Sequence, residues 1–189
     1  DKVDNFIYKV CSIDKKKEMN WKQYALALLF TNAVMVFIGY IILRTQSMHI
    51  FNPSGIKSME QGLSFNTIIS FMTNTNLQHY SGESGLSYFS QMTVIIYMMF
   101  TSAATGYAAA MAFVRGLVGK KKTLGNFYVD LIRITTRVLL PGALIIGLIL
   151  VTQGVPQTFA GTETVTTIEG KLQDIARGPV AALESIKHL

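Results

Sequence analysis

The sequence predicts an all-α integral membrane protein in which full apolar spans flank a shorter apolar half-helix. Three observations carry that prediction. Half of the 189 residues are hydrophobic and only 15% are charged, with a mean hydropathy of +0.35, whereas a soluble domain carries about 25% charge. Long apolar segments recur, each bounded at one end or both by basic or aromatic residues. Between two of them lies an apolar helix of about a dozen residues, too short for the roughly 20 that a bilayer demands, and it runs into a polar stretch.

Composition also excludes several function classes. The net charge is +6, but Lys and Arg gather at the ends of apolar segments, as topology signals do. The expected surroundings are therefore a lipid bilayer, with no nucleic-acid partner. Cys11 is the single cysteine, so no intrachain disulfide and no thiolate metal cluster forms; a buried or cytosol-side structural thiol is expected. The chain opens on DKVDNFIYKV, without an initiator Met or a signal-peptide pattern, and is expected to be an excerpt of a longer protein.

The elements follow in order. Residues 1–23 are polar and amphipathic, with Lys15, Lys16 and Lys17 in a row, and Trp21 and Tyr24 stand where an interfacial aromatic belt would. Tyr24 to Leu43 is uncharged for about 20 residues, one hydrocarbon thickness at about 1.5 Å per residue, and Arg44 ends it. Asn52-Pro53-Ser54-Gly55 marks a loop. The half-helix, Gln61 to Met72, comes next, followed by the polar run Thr73-Asn74-Thr75-Asn76-Leu77-Gln78 and a turn at Gly82 to Gly85. Met92 to Val114 is the second span, closed by Arg115. A basic loop with Lys120, Lys121 and Lys122 leads to Phe127 to Val138, where Asp130, Arg133 and Arg137 share one helical face, expected to be a solvated ramp into the third span. That span covers about 129–151, with Pro141 predicted to bend it. Residues 153–177 are expected to be a Thr- and Gly-rich polar loop. Gly178 to Leu189 is a second short helix, with Pro179 in its first turn.

Basic residues set the expected topology. Six lysines precede the first span and six Lys or Arg lie between Arg115 and Arg137, whereas the loop around the half-helix holds Arg44 and Lys57. Residues 1–23 and 116–128 are thus expected to be cytoplasmic, and the half-helix enters from outside.

Thr73 to Gln78 carries the chemistry. Non-helical backbone at membrane depth is tolerated only where it is buried in protein or lines a water-filled path. The run offers successive backbone carbonyls and the side-chain oxygens of Thr73, Asn74, Thr75, Asn76 and Gln78. Neutral oxygens of this kind replace the hydration shell of a large monovalent cation without trapping it. The lack of a carboxylate argues against calcium or magnesium. The half-helix points its C-terminal, negative pole at the run and favours a cation. The alternative is an ordinary polar turn, which the flanking spans disfavour. The run has no glycine, unlike the familiar TVGYG filter, and Asn, which tolerates the left-handed region, is expected to substitute.

Other motifs recede. Gly116 to Thr123 looks like a phosphate-binding loop but lacks its Ser or Thr after the lysine and follows a span instead of a strand. His49, His79 and His188 are scattered without zinc spacing, and no Ser/His/Asp nucleophile pattern stands out. Ser102, Gly106 and Ala110 form a small-residue stripe suited to helix packing more than to pore lining. Glu83 is a candidate cap or cation attractor at the mouth.

The blocks NWKQY (Asn20 to Tyr24), FNTIISFMTNTNLQHYSGESGLSYFSQM (Phe65 to Met92), SAATG (Ser102 to Gly106), TLGNFYVDLIRIT (Thr123 to Thr135) and GPVAALESIKHL (Gly178 to Leu189) resemble the KdpA family, potassium-binding subunits of bacterial Kdp potassium-transporting ATPases. The resemblance runs almost end to end. It implies potassium-channel-like span–pore helix–span repeats, four in the family. Residues 24–115 would be one complete repeat with filter 73–78, and residues 116–189 a partial second repeat ending in pore helix 178–189. In the family a TNGGG filter would follow Leu189. The resemblance further implies K+ as the transported ion, no organic cofactor, and a bacterial plasma membrane location. It also implies KdpB-like, KdpC-like and KdpF-like partner subunits, with ATP hydrolysis in the P-type ATPase subunit. Thr73, Asn74, Thr75, Asn76, Leu77 and Gln78 would be K+ ligands, mainly through backbone carbonyls. The alternatives are a passive Trk/Ktr-like subunit and a non-transporting membrane scaffold.

Overall fold

The structure, a computed structural model, describes residues 2–119, 122–175 and 177–189, apart from the side chain of Glu83. Lys120 and Lys121 of the basic loop lie outside the described residues.

Helix α1 (Lys2–Val10) has Asp4 in its first turn and Lys9 in its last, which complements the helix dipole. Cys11 follows it and is exposed, which removes the buried one of the two expected settings. Helix α2 (Trp21–Thr45) starts on a capping box: Asn20 Oδ1 accepts from the Gln23 amide at 3.0 Å, and Gln23 Oε1 accepts from the Asn20 amide at 3.1 Å. Leu26, Leu29, Phe30 and Phe37 are exposed along it, which suits a helix whose outer solvent is lipid. Gly39 faces the half-helix. A Cβ there would lie 2.6 Å from Ile68 Cδ1, so the absent side chain is what lets the two backbones approach.

The half-helix α3 has the predicted bounds, Gln61–Met72. Glu60 caps it, its Oε2 accepting from the Leu63 amide at 2.9 Å. Ile68 and Phe71 are fully buried, in a core shared with Leu43, Val94, Ile95 and Met98, and burying each large apolar side chain contributes about 1.5–3 kcal/mol. A single turn, α4 (Gly82–Gly85), precedes α5 (Tyr88–Val118). This second span begins before Met92 because Ser87 caps it, its Oγ accepting from the Ser90 amide at 3.1 Å. A π-helical stretch, Gln91–Ile96, lies near its start, and Gly119 ends it in the left-handed region at φ 64°.

The charged ramp and the third apolar stretch form one helix, α6 (Phe127–Thr152). Pro141 cannot donate to the preceding turn, and the π-helical stretch Thr135–Leu139 just before it absorbs the mismatch. The solvated ramp is corrected. Asp130 is only 7% exposed and pairs with Arg115 of α5, Nη1 to Oδ2 at 2.5 Å and Nη2 to Oδ1 at 3.0 Å. Tyr24 Oη adds a contact to Asp130 Oδ2 at 3.0 Å and reaches the Ala108 carbonyl at 2.8 Å. Arg137 instead pairs with buried Asp4, to which Thr136 Oγ1 also donates at 2.8 Å. Arg133 alone of the three is exposed without a partner among the described residues. The helical-face count failed because these charges find partners on α1 and α5, which a single segment does not reveal.

Residues 153–177 hold more than a loop. Strands β1 (Glu163–Thr166) and β2 (Leu172–Ile175) pair antiparallel, Glu163 opposite Ile175 and Thr166 opposite Leu172. The all-α prediction misses this hairpin because each strand has only four residues. Its turn closes through the Gly170 amide to the Thr167 carbonyl at 2.9 Å, with Gly170 at φ 74°. Helix α7 (Val180–Lys187) then packs on α6, and Pro179 sits at its N-cap instead of inside the first turn.

Candidate functional site

The site is where α3 stops. The Thr73 amide still reaches back to the Ile69 carbonyl at 3.0 Å. Asn74 then enters the left-handed region at φ 56°, and Asn76 does so again at φ 57°. Two asparagines thus take left-handed backbone dihedrals; an amide side chain tolerates this region better than branched residues do.

Ser70 holds the run in place. Its carbonyl accepts from the Thr75 amide at 2.9 Å and from the Asn76 amide at 3.2 Å. Its hydroxyl accepts from the Leu77 amide at 2.8 Å and donates to the Leu77 carbonyl at 3.1 Å. The amides from Asn74 to Leu77 are therefore drawn to the end of α3. Among the described residues no hydrogen bond ends on the carbonyls of Thr73, Asn74, Thr75 or Asn76. Those four oxygens remain available, whereas the Leu77 carbonyl is already engaged by Ser70.

The side chains contribute unequally. Thr73 and Thr75 hydroxyls meet at 2.8 Å, and Asn76 Nδ2 donates to Asn74 Oδ1 at 3.3 Å. Asn76 Oδ1 is shielded from solvent and has no hydrogen-bond partner. Leu77 is 57% exposed. Gln78 is exposed and donates to Tyr80 Oη at 3.4 Å, and burial pushes the Tyr80 hydroxyl up to about 12. Ser102 of α5 reaches Asn74 Oδ1 at 3.4 Å, so one member of the small-residue stripe touches the run, while Gly106 and Ala110 are exposed. The Glu83 side chain lies outside the described residues.

At the other end of α3, the Gly62 and Leu63 amides hold the Glu60 carboxyl below its usual range. A carboxylate thus meets the positive pole, and the polar run meets the negative one. Sequence reasoning missed Ser70 and Glu60. Glu60 has a weak signal, an acidic residue just before an apolar helix. Ser70 has none, because its partners, Thr75 to Leu77, lie five to seven residues away and beyond a turn.

The family model described as potassium-transporting ATPase A subunit, KdpA, matches residues 1–189. The chain belongs to the KdpA family. It is 65% identical to the potassium-transporting ATPase potassium-binding subunit of Clostridium acetobutylicum, over 99% of this chain and 33% of that protein. The proteins of the same name from Caldanaerobacter subterraneus and Geobacillus kaustophilus are 59% and 53% identical, again over 99% of this chain and 33% of theirs. The chain spans about a third of the length of the curated KdpA relatives it matches.

Proposed function

We propose that these residues are part of a potassium-binding and translocating, channel-like subunit of an ATP-driven uptake pump, with Thr73 to Gln78 as one segment of its selectivity filter. The observation that carries this reading is the left-handed Asn74 and Asn76 pair at the end of a half-helix, with the run's amides tied to Ser70 and the carbonyls of Thr73 to Asn76 unclaimed. A row of uncommitted neutral oxygens at a helix C-terminus is suited to a dehydrated monovalent cation. The names of the KdpA relatives agree with that ion.

In this reading residues 24–115 form one span–pore–span repeat. Residues 116–189 form part of a second, with α7 as its pore helix. Residues 1–23 and 116–128 face the cytoplasm of a bacterial cell and the filter opens outward, following the basic residues. ATP hydrolysis belongs to a KdpB-like P-type ATPase subunit, accompanied by KdpC-like and KdpF-like subunits.

Gln78→Arg in the full-length subunit tests the filter. A cation placed beside the run costs roughly 1.4–3 kcal/mol of ion binding at the dielectric of a protein surface, so the K+ concentration for half-maximal uptake should rise roughly tenfold to a hundredfold. Uptake with unchanged apparent affinity would refute the placement.

A further inference from the structure

Gln46 begins a single 3-10 turn, Gln46–Met48, directly after α2. It is fully buried. A buried amide side chain needs partners for its two N–H donors and its oxygen, or it costs free energy. Gln46 finds all three on other segments. Its Nε2 donates to the Lys57 carbonyl at 2.8 Å and to the Gly85 carbonyl at 2.9 Å, and its Oε1 accepts from the Ser87 amide at 3.2 Å. Lys57 lies just before the Glu60 cap of α3, and Gly85 ends α4 after the polar run. Ser87 caps α5.

One side chain thus holds both ends of the segment that contains α3 and the run. Two carbonyls bound to the same nitrogen bring residues 57 and 85 together, their oxygens within about 6 Å of each other. Contacts nearby reach one side each. The Leu43 carbonyl accepts from the Met59 amide at 3.2 Å, and Arg44 Nη1 donates to the Met59 carbonyl at 2.5 Å, both at the entry. The Phe51 carbonyl accepts from the Tyr88 amide at 3.1 Å, at the exit. Within the segment, Glu60 and Ser70 fix the shape of α3 and the run. Gln46 bonds to the backbone on either side of that unit, so it sets where the unit sits against α2 and α5.

We propose that Gln46 is a positioning residue for ion selection: by tying the entry and the exit of this segment to the end of α2, it fixes the placement of the 73–78 run. The proposal rests on the filter reading above and gives a role to a residue that supplies no ligand. Discrimination by carbonyl oxygens depends on where they stand around the ion. A displaced run therefore loses discrimination while keeping its internal hydrogen bonds.

The test compares Gln46→Met, of similar length but without hydrogen-bonding groups, and Gln46→Glu, each in the full-length subunit within its assembled complex. Uptake is measured per assembled complex. Gln46→Met should raise the K+ concentration for half-maximal uptake roughly three- to tenfold, the scale of a lost hydrogen bond. It should also weaken discrimination between K+ and Na+, with the maximal rate nearly unchanged. Gln46→Glu keeps the acceptor for the Ser87 amide and, as the neutral acid favoured beside two carbonyls, one donor; its half-maximal concentration should fall between the other two. Hydrogen exchange at the Thr75 to Leu77 amides should stay slow in both variants, because Ser70 still holds them.

A Gln46→Met complex with a lower yield or maximal rate but wild-type affinity and discrimination overturns the inference, since the side chain then only stabilises the fold. Gln46→Glu as weak as Gln46→Met also overturns it, as does failure of both variants to assemble. Fast exchange at Thr75 to Leu77 overturns it too, by showing that the run itself has come apart. Failure of the filter reading shows separately, as wild-type K+ affinity in Gln78→Arg.

Discussion

Ser70 is the residue on which the geometry of the 73–78 run turns. One hydroxyl both accepts the Leu77 amide and donates to the Leu77 carbonyl, at 2.8 and 3.1 Å. Ser70→Ala therefore strands a backbone amide that no neighbouring side chain replaces, at a cost of about 1–3 kcal/mol. On the filter reading proposed above, the expected outcome in the full-length protein is weakened discrimination between K+ and Na+ in competitive uptake. Ser70→Thr, which keeps the hydroxyl, should restore it. Equal discrimination in wild type and Ser70→Ala would remove Ser70 from this role. Asn74 and Asn76 act differently. They contribute conformation, since φ near 57° excludes β-branched residues far more strongly than Asn.

Helices α2, α5 and α6 are joined at one end by a polar cluster instead of apolar packing alone. Arg115 holds Asp130 through two nitrogens and also donates to the Leu124 carbonyl at 2.9 Å, while Tyr24 sets its ring edge-on against Phe127, centroids 5.6 Å apart. The Arg115 side chain is 35% exposed and the Asp130 side chain only 9%, so the arginine is partly screened by solvent and the carboxylate is not. Arg115→Met leaves that carboxylate buried without its counter-charge. We expect a loss of about 2–4 kcal/mol, below the full cost of breaking a fully buried pair. Adding Asp130→Leu should recover part of the loss, because removing both charges is cheaper than orphaning one. Thermal unfolding of the solubilised full-length protein measures both; a double variant less stable than the single one would contradict the account.

At the scale of the whole molecule, the Asp4 carboxylate ties α1 to α6. Burial raises the Asp4 pKa, but the hydrogen bonds from Thr136 and Arg137 and the charge of Arg137 outweigh it, and the carboxyl sits below its usual value of 3.8. A depressed folded value means the docking free energy is complete above the ordinary Asp pKa and is lost as pH falls through the lower folded one. Hydrogen exchange of residues 2–10 should therefore show pH-independent protection, after correction for intrinsic rates, from about pH 8 down to about pH 5. Protection should fail only in stronger acid, below about pH 4. Asp4→Asn should weaken protection throughout. Loss of wild-type protection near neutral pH would point to a different latch.

Local patterning determined the spans and the half-helix. Apolar length against bilayer thickness set them, and the Gln61–Met72 bounds are the same in sequence and structure. The run's polar oxygens and the tolerance of its Asn residues for the left-handed region were likewise legible, since both depend on residue type alone. The charges were not. Asp130 and Arg137 looked like one solvated face, yet they pair with Arg115 and Asp4. The start of α5 moved to the Ser87 cap, and π-helical stretches interrupt α5 and α6, features that hydropathy does not register. The β1–β2 hairpin was hidden because four-residue strands barely alter composition. Only the tertiary structure brought Ser70 to Leu77 and Ser102 to the Asn74 side chain. The physical reason is one of range: apolar length and residue type act along the chain, whereas hydrogen-bond and ion-pair partners are chosen by which helix faces meet.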